Sequence, residues 1–223
     1  MSLDRVTMRY TTLAPMMNSR QNHGMVVHDG KLFVMGGFNY GTLPSVECLD
    51  LETMQWSEKS PMITPRDSHG AAVLGGKIYV AGGWTGSHSF ALVDSFDAAT
   101  NQWTAVAPMN TCRSFYGMVS SQGKLFAVGG VDNQDDVLSS VEMFDPNTGE
   151  WTDIQSLIIP RYGLAVAVLG DKLYAIGGLG SQCEPLSSVE FLDLSVPNSQ
   201  WTTVAPMSSP RFKMGAVVTG GKI

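Results

Sequence analysis

KIYVAGGWTGSHSF, residues 77–90, runs from an alternating apolar segment through two glycines into a polar loop carrying Trp84. The first half recurs as KLFVMGG (31–37), KLFAVGG (124–130) and KLYAIGG (172–178), whereas the residues after the glycines differ each time. The glycine pairs 36–37, 82–83, 129–130 and 177–178 follow one another at spacings of 46, 47 and 48 residues. Other landmarks keep the same register. An arginine precedes each unit (Arg20, Arg66, Arg113, Arg161, Arg211), and a tryptophan closes it (Trp56, Trp103, Trp151, Trp201). Between glycines and tryptophan lies a further shared segment: SVECLD, LVDSFD, SVEMFD or SVEFLD. A repeat period of this length has to be read before anything else in the chain.

Each unit reads as four strands. The first is small and apolar, as in GAAVL (70–74), and a turn pair follows: Asp29-Gly30, Gly75-Gly76, Gln122-Gly123 or Gly170-Asp171. Such pairs admit the positive φ of two-residue hairpins. The second strand alternates as a half-buried strand does. The third is SVEMFD-like, and the fourth carries the tryptophan. Four-stranded units of roughly 45–50 residues are blades of a β-propeller, so the fold class is all-β. We expect one domain over 1–223, with complete repeats at about 17–62, 63–109, 110–157 and 158–207. SLDRVTMRYTTLAPM (2–16) aligns with SFDAATNQWTAVAPM (95–109), with Tyr10 at the tryptophan position. GAVVTGGKI (215–223) aligns with GAAVLGGKI (70–78). These partial end units lead us to expect a fragment of a larger, six-bladed ring.

Composition narrows the function classes. The 223 residues carry 43% hydrophobic and 15% charged side chains, an ordered globular balance. Formal charge is −6 without a basic stripe, which argues against nucleic acid and anionic membrane as partners. Cys48, Cys112 and Cys183 lack metal-type spacing and are odd in number, which favours a reducing compartment. We therefore expect a cytoplasmic protein, with nucleus or cytoskeleton as alternatives.

The double glycine, the spaced tryptophan and the arginine before the first strand resemble the kelch repeat across essentially the whole chain. The SVE–FD strands look most like the propellers of BTB-kelch proteins. That resemblance implies a substrate receptor of a cullin-RING ubiquitin ligase, touching the ligase only through domains outside this chain. An actin-binding scaffold is the alternative it implies. Kelch propellers also include enzymes, a copper oxidase and a sialic acid mutarotase, and the mutarotase type is a second alternative.

Residues shared by all blades are expected to build them. The first four arginines match in number and phase acids on the third strands (Glu47, Asp94, Glu142, Glu190), which reads as a repeated ion pair; the competing reading is an arginine cluster for an anionic ligand. Residues the blades do not share sit at the blade end bearing the post-glycine loops and the crossovers, where recognition is placed on a rigid scaffold. By resemblance, first positions after the glycines (Phe38, Trp84, Val131, Leu179) and second positions after the arginines (Asn22, Ser68, Phe115, Lys213) contact a bound peptide. Tyr40, His88, Asp132 and Asn133, from the same loops, complete the expected partner surface. Its aromatic side is of the type enriched at hot spots. Asp132, Asp135, Asp136 and Glu184 make the other side acidic, so the expected partner is a protein segment with apolar anchors and neutral or basic groups.

For acid–base work, Asp67, Asp132 and Glu184 are candidates on this face. His23 and His69 share one repeat position, but no local metal motif surrounds them. No Ser-His-Asp order or phosphate loop stands out. The expectation is a binding protein that is not an enzyme, with no cofactor and no metal.

Overall fold

A computed structural model describes residues 2–4 and 9–223. It opens with a two-stranded piece, β1 (Ser2–Asp4) and β2 (Arg9–Thr11). Four antiparallel four-stranded sheets follow in chain order. Blade 1 holds β3 (Gly24–His28), β4 (Lys31–Met35), β5 (Val46–Asp50) and β6 (Trp56–Lys59). Blade 2 holds β7 (Gly70–Leu74), β8 (Lys77–Ala81), β9 (Val93–Asp97) and β10 (Gln102–Val106). Blade 3 holds β11 (Gly117–Ser121), β12 (Lys124–Val128), β13 (Val141–Asp145) and β14 (Glu150–Ile154). Blade 4 holds β15 (Ala165–Leu169), β16 (Lys172–Ile176), β17 (Val189–Asp193) and β18 (Thr202–Val204). No helix long and apolar enough to cross a membrane occurs among the described residues.

The first hairpins form as the turn pairs require. Both central residues have positive φ in Asp29-Gly30, Gly75-Gly76 and Gln122-Gly123, the type I′ signature, while in Gly170-Asp171 only the glycine does. The opening piece obeys the blade register: Leu3 faces Tyr10 as Phe96 faces Trp103. Residues 5–8 of that stretch lie outside the described residues.

The core sits between blades. Phe33, Met35 and Met62 of blade 1 pack on Ile78, Val80 and Phe96 of blade 2. Leu74, Ala81 and Met109 of blade 2 meet Tyr116, Leu125 and Trp151 of blade 3, and Phe126, Val128 and Leu157 meet Leu164, Leu173 and Trp201 of blade 4. Each repeat tryptophan also reaches back one blade. Its indole N–H donates to the carbonyl of Ala14, Ser60, Ala107 or Gln155, at 2.9, 2.8, 3.0 and 2.7 Å.

The first four arginines resolve in favour of the ion pair and against the anion-binding cluster; Arg211 is exposed. Arg20–Glu47, Arg66–Asp94, Arg113–Glu142 and Arg161–Glu190 pair with side chains at most 5% exposed, so no solvent ligand reaches them. Each guanidinium also donates to the carbonyl of the first glycine of its own blade: Gly36, Gly82, Gly129 or Gly177. Three of the acids accept backbone N–H groups of the entering crossover, Glu47 from Met17 and Asn18, Glu142 from Asn110 and Thr111, and Glu190 from Ile158 and Ile159. Burial pushes the Glu47 carboxyl up, but its bonds from Met17, Arg20 and Asn18 outweigh that and hold it below the ordinary value. Asp94 is one methylene shorter and lacks such N–H donors among the described residues; burial raises it despite Arg66. The same motif thus holds a firmly ionised acid in one blade and a less favoured one in the next.

The double glycine is where one blade touches the next. Gly83 N–H donates to the Arg113 carbonyl, as Gly37, Gly130 and Gly178 do to Arg66, Arg161 and Arg211. Gly82 has φ 55°, and a Cβ there would lie 2.6 Å from the Arg113 carbonyl oxygen. A side chain at this position is excluded by space, and the left-handed backbone disfavours it further.

Candidate functional site

At the blade end carrying the post-glycine loops, the first residue after each glycine pair forms a bridge with the residue after the preceding arginine. The four bridges are Phe38 with Gln21, Trp84 with Asp67, Val131 with Ser114, and Leu179 with Tyr162. Next along the chain come Asn22, Ser68, Phe115, Gly163 and Lys213, all with φ between 51° and 59°. They hydrogen-bond in series around the axis: Ser68 N–H to Asn22 O, Phe115 to Ser68, Gly163 to Phe115 and Lys213 to Gly163. This arc surrounds a central channel mouth of about 290 Å³, lined also by His23, His69, Tyr116 and Leu164.

Beside the arc, loops of blades 2, 3 and 4 enclose a cleft of about 420 Å³. Trp84 and Ser89 come from blade 2; Ser114, Phe115, Val131, Asp135 and Val137 from blade 3; Tyr162, Ser181 and Cys183 from blade 4. Phe115 and Tyr162 meet edge to face with ring centroids 6.5 Å apart, and the Lys213 ammonium lies 4.9 Å from the Phe115 centroid. Below them the Ser89 and Ser114 hydroxyls, 2.9 Å apart, are hydrogen-bonded to each other. The Tyr162 hydroxyl donates to Cys183 Sγ at 3.5 Å, and that neighbour, ahead of burial, raises the phenol's pKa.

The expected partner residues are distributed unevenly. Trp84, Phe115 and Val131 line the cleft, whereas Phe38 and Tyr40 line a separate shallow hollow with Ser19 and Arg20. Asn22, Ser68 and Lys213 line the channel mouth, and Ser68 is buried there. Leu179 is half-buried in its bridges to Tyr162 and Pro185. His88 is exposed, its Nδ1 2.9 Å from the Ser87 hydroxyl, and Asn133 is exposed on its loop tip. Asp132 accepts the N–H groups of Gln134 and Asp136, so its carboxylate builds its own loop. Tyr162, Val137 and Cys183 were not expected in the cleft, whereas Asp135 was expected on the acidic side of the same surface. Tyr162 carried a usable signal, being the residue directly after a repeat arginine.

The acid–base candidates are equally dispersed. Burial raises the Asp67 carboxyl, which accepts the Ser68 hydroxyl at 2.7 Å, and Glu184 accepts the Gln182 N–H. No group of three or more His, Cys, Asp or Glu side chains converges among the described residues.

His69 is 8% exposed, wedged between blades 1 and 2, and neither ring nitrogen has a hydrogen-bond partner among the described residues. Burial first, then the Arg66 guanidinium and His23, pull its pKa well below the ordinary 6.5. His23, lowered by burial and Arg20, titrates in the same direction. The folded protein therefore binds fewer protons than the unfolded chain once pH falls below about 6.5, and stability drops with falling pH in that window. Urea unfolding at pH 5 and 7.5 checks this. His69→Tyr, which places at this position the residue that Tyr116 occupies one blade on, is expected to flatten the profile; equal slopes in wild type and variant refute the assignment.

Among known proteins, a family model described as the KLHDC2/KLHL20/DRC7 Kelch-repeats domain matches residues 3–178, and a Kelch motif model matches residues 160–208. The solved structure of YjhT superposes with a TM-score of 0.78 at 20% identity, over 90% of this chain and 69% of that one. Likeness at that identity speaks to fold alone. No curated protein sequence matches. The likeness to YjhT corrects the expectation that the chain is not an enzyme: mutarotase-type enzymes are built on the kelch fold, so sharing it with this neighbour leaves catalysis open.

Proposed function

This chain belongs to the kelch-repeat family, and from that we propose that it binds a target protein through the loop rim of its propeller, as the receptor that brings substrates to a cullin-RING ubiquitin ligase. Kelch domains generally serve as protein-interaction modules, so the binding role is the broader part of this reading and the ligase its narrower part. The observation that carries the rim as the binding surface is the aromatic-walled cleft of about 420 Å³ between Trp84, Phe115 and Tyr162. Concave, mostly apolar hollows with exposed aromatic walls are where hot-spot contacts form. A compartment follows from the ligase reading, in the cytoplasm or nucleus.

Affinity capture with wild-type protein and the Trp84→Ala/Phe115→Ala variant tests this. Partners lost from the variant by tenfold or more, together with cullin-RING components recovered with the wild type in cells, support the reading. Unchanged capture by a folded variant overturns the rim. Co-sedimentation with actin filaments in place of ligase recovery moves the reading to the cytoskeletal scaffold, and turnover of sialic acid moves it to an enzyme.

A further inference from the structure

We propose, building on the binding role just given, that the cleft receives one bulky apolar side chain of an extended peptide whose neighbouring residues include Lys or Arg. The cleft walls come from loops of three successive blades, so the hollow crosses blade boundaries and is open to a segment of chain. Its volume lies toward the small end of ligand sites, suited to one or two side chains. The floor offers few polar groups to a small molecule, because the Ser89 and Ser114 side chains are buried and the Ser89 hydroxyl is engaged with Ser114 Oγ at 2.9 Å and the Val131 carbonyl at 3.3 Å. Attraction there comes from the apolar faces of Trp84, Phe115, Val131, Val137 and Tyr162.

Charge then selects what flanks the anchor. Asp135 lines the cleft, Asp136 follows it on the same exposed loop, and Glu184 stands on the loop that supplies Ser181 and Cys183. Asp132 is committed to its own turn and Glu184 to the Gln182 N–H, whereas no hydrogen-bond donor reaches the Asp135 or Asp136 carboxylate among the described residues. Lys213 has its ammonium over the Phe115 ring at the channel side, and Arg113 and Arg161, next to Ser114 and Tyr162 in the chain, are fully buried in their ion pairs. A peptide carboxylate would meet repulsion at this rim and a peptide cation would meet attraction.

Selection of a phage-displayed random dodecapeptide library on the purified chain tests this, followed by titration of an enriched peptide made synthetically and labelled with fluorescein. Enriched sequences are expected to pair Phe, Trp, Leu or Met with Lys or Arg within about two residues. Affinity should fall at least tenfold in Phe115→Ala and in Asp135→Asn/Asp136→Lys. Asn tolerates the left-handed φ of 63° at residue 135, so the second variant leaves the loop geometry in place. Replacing the peptide's basic residue by Glu should recover binding to the charge variant alone, and raising salt should weaken the wild-type pair. Enrichment of acidic sequences, no enrichment, or binding indifferent to the charge variant overturns the proposal. Peptides lost in Tyr40→Ala but retained in Asp135→Asn/Asp136→Lys would leave rim binding standing while removing it from this cleft.

Discussion

Arg113→Ala is expected to lower the unfolding free energy by about 3–5 kcal/mol, the range for breaking a buried pair by removing one partner. The guanidinium and the Glu142 carboxylate are both fully buried, so the truncation leaves an uncompensated charge without water. It also frees the Gly129 carbonyl, which Arg113 Nη1 holds at 2.7 Å, and takes from the Ser140 carbonyl the second of its two bonds, the other coming from the Gly129 N–H. A buried pair can often be replaced by apolar residues without loss, and this one differs for a stated reason. Glu142 additionally holds the N–H groups of Asn110 and Thr111 at 2.6 and 3.0 Å. In Arg113→Met/Glu142→Leu those two donors and the Gly129 carbonyl lose their partners, at roughly 1–3 kcal/mol for each group left unsatisfied, while the Ser140 carbonyl keeps the Gly129 N–H. Urea denaturation should therefore find the double variant no more stable than the single. A double variant matching wild type would show that the charges are dispensable and that water serves the backbone groups.

Trp151→Ala is expected to cost about 3–5 kcal/mol as well, by a different route. The ring is 6% exposed, packs on Phe144 at a centroid distance of 5.2 Å, and joins blade 3 to blade 2 through its bond to Ala107. Trp151→Phe keeps most of the buried ring and loses the donor, leaving the Ala107 carbonyl to water or to no one. Its cost should be nearer 1 kcal/mol, the net worth of one hydrogen bond. Equal losses in the two variants would mean that the bond, and not the ring, joins the blades. Against a typical total stability of about 5–15 kcal/mol, either alanine variant removes a large share.

The scaffold was legible in the sequence because each repeated residue answers a need that recurs in every blade. Gly82 must be glycine wherever a carbonyl of the next blade comes within Cβ reach, and Trp151 must be an indole wherever a carbonyl lies one ring away. Such requirements print themselves at a fixed period. The cleft was only partly legible. Trp84, Phe115 and Val131 could be picked out because they occupy repeat positions, but Val137 and Cys183 sit deep in loops of unequal length, where alignment between blades lapses. Tyr162 was less legible because the resemblance points to the second residue after each arginine, although the first also reaches the rim. Ser68 shows the converse: its position is recurrent, yet its small side chain is buried at the channel mouth. Function was less legible still, since one fold carries both binding modules and enzymes.

The arc of left-handed residues has one more implication. Asn22, Ser68, Phe115, Gly163 and Lys213 have unrelated side chains but nearly the same φ, because their peptide groups alone make the links from blade to blade. Except at Ser68, which is buried and donates to Asp67, the side chain is thereby released from linking the blades. The other four letters around the hub can be rewritten singly, at the modest cost of left-handed φ for residues other than glycine. Evolution or an engineer can thus give the same wheel a new vocabulary without rebuilding a spoke.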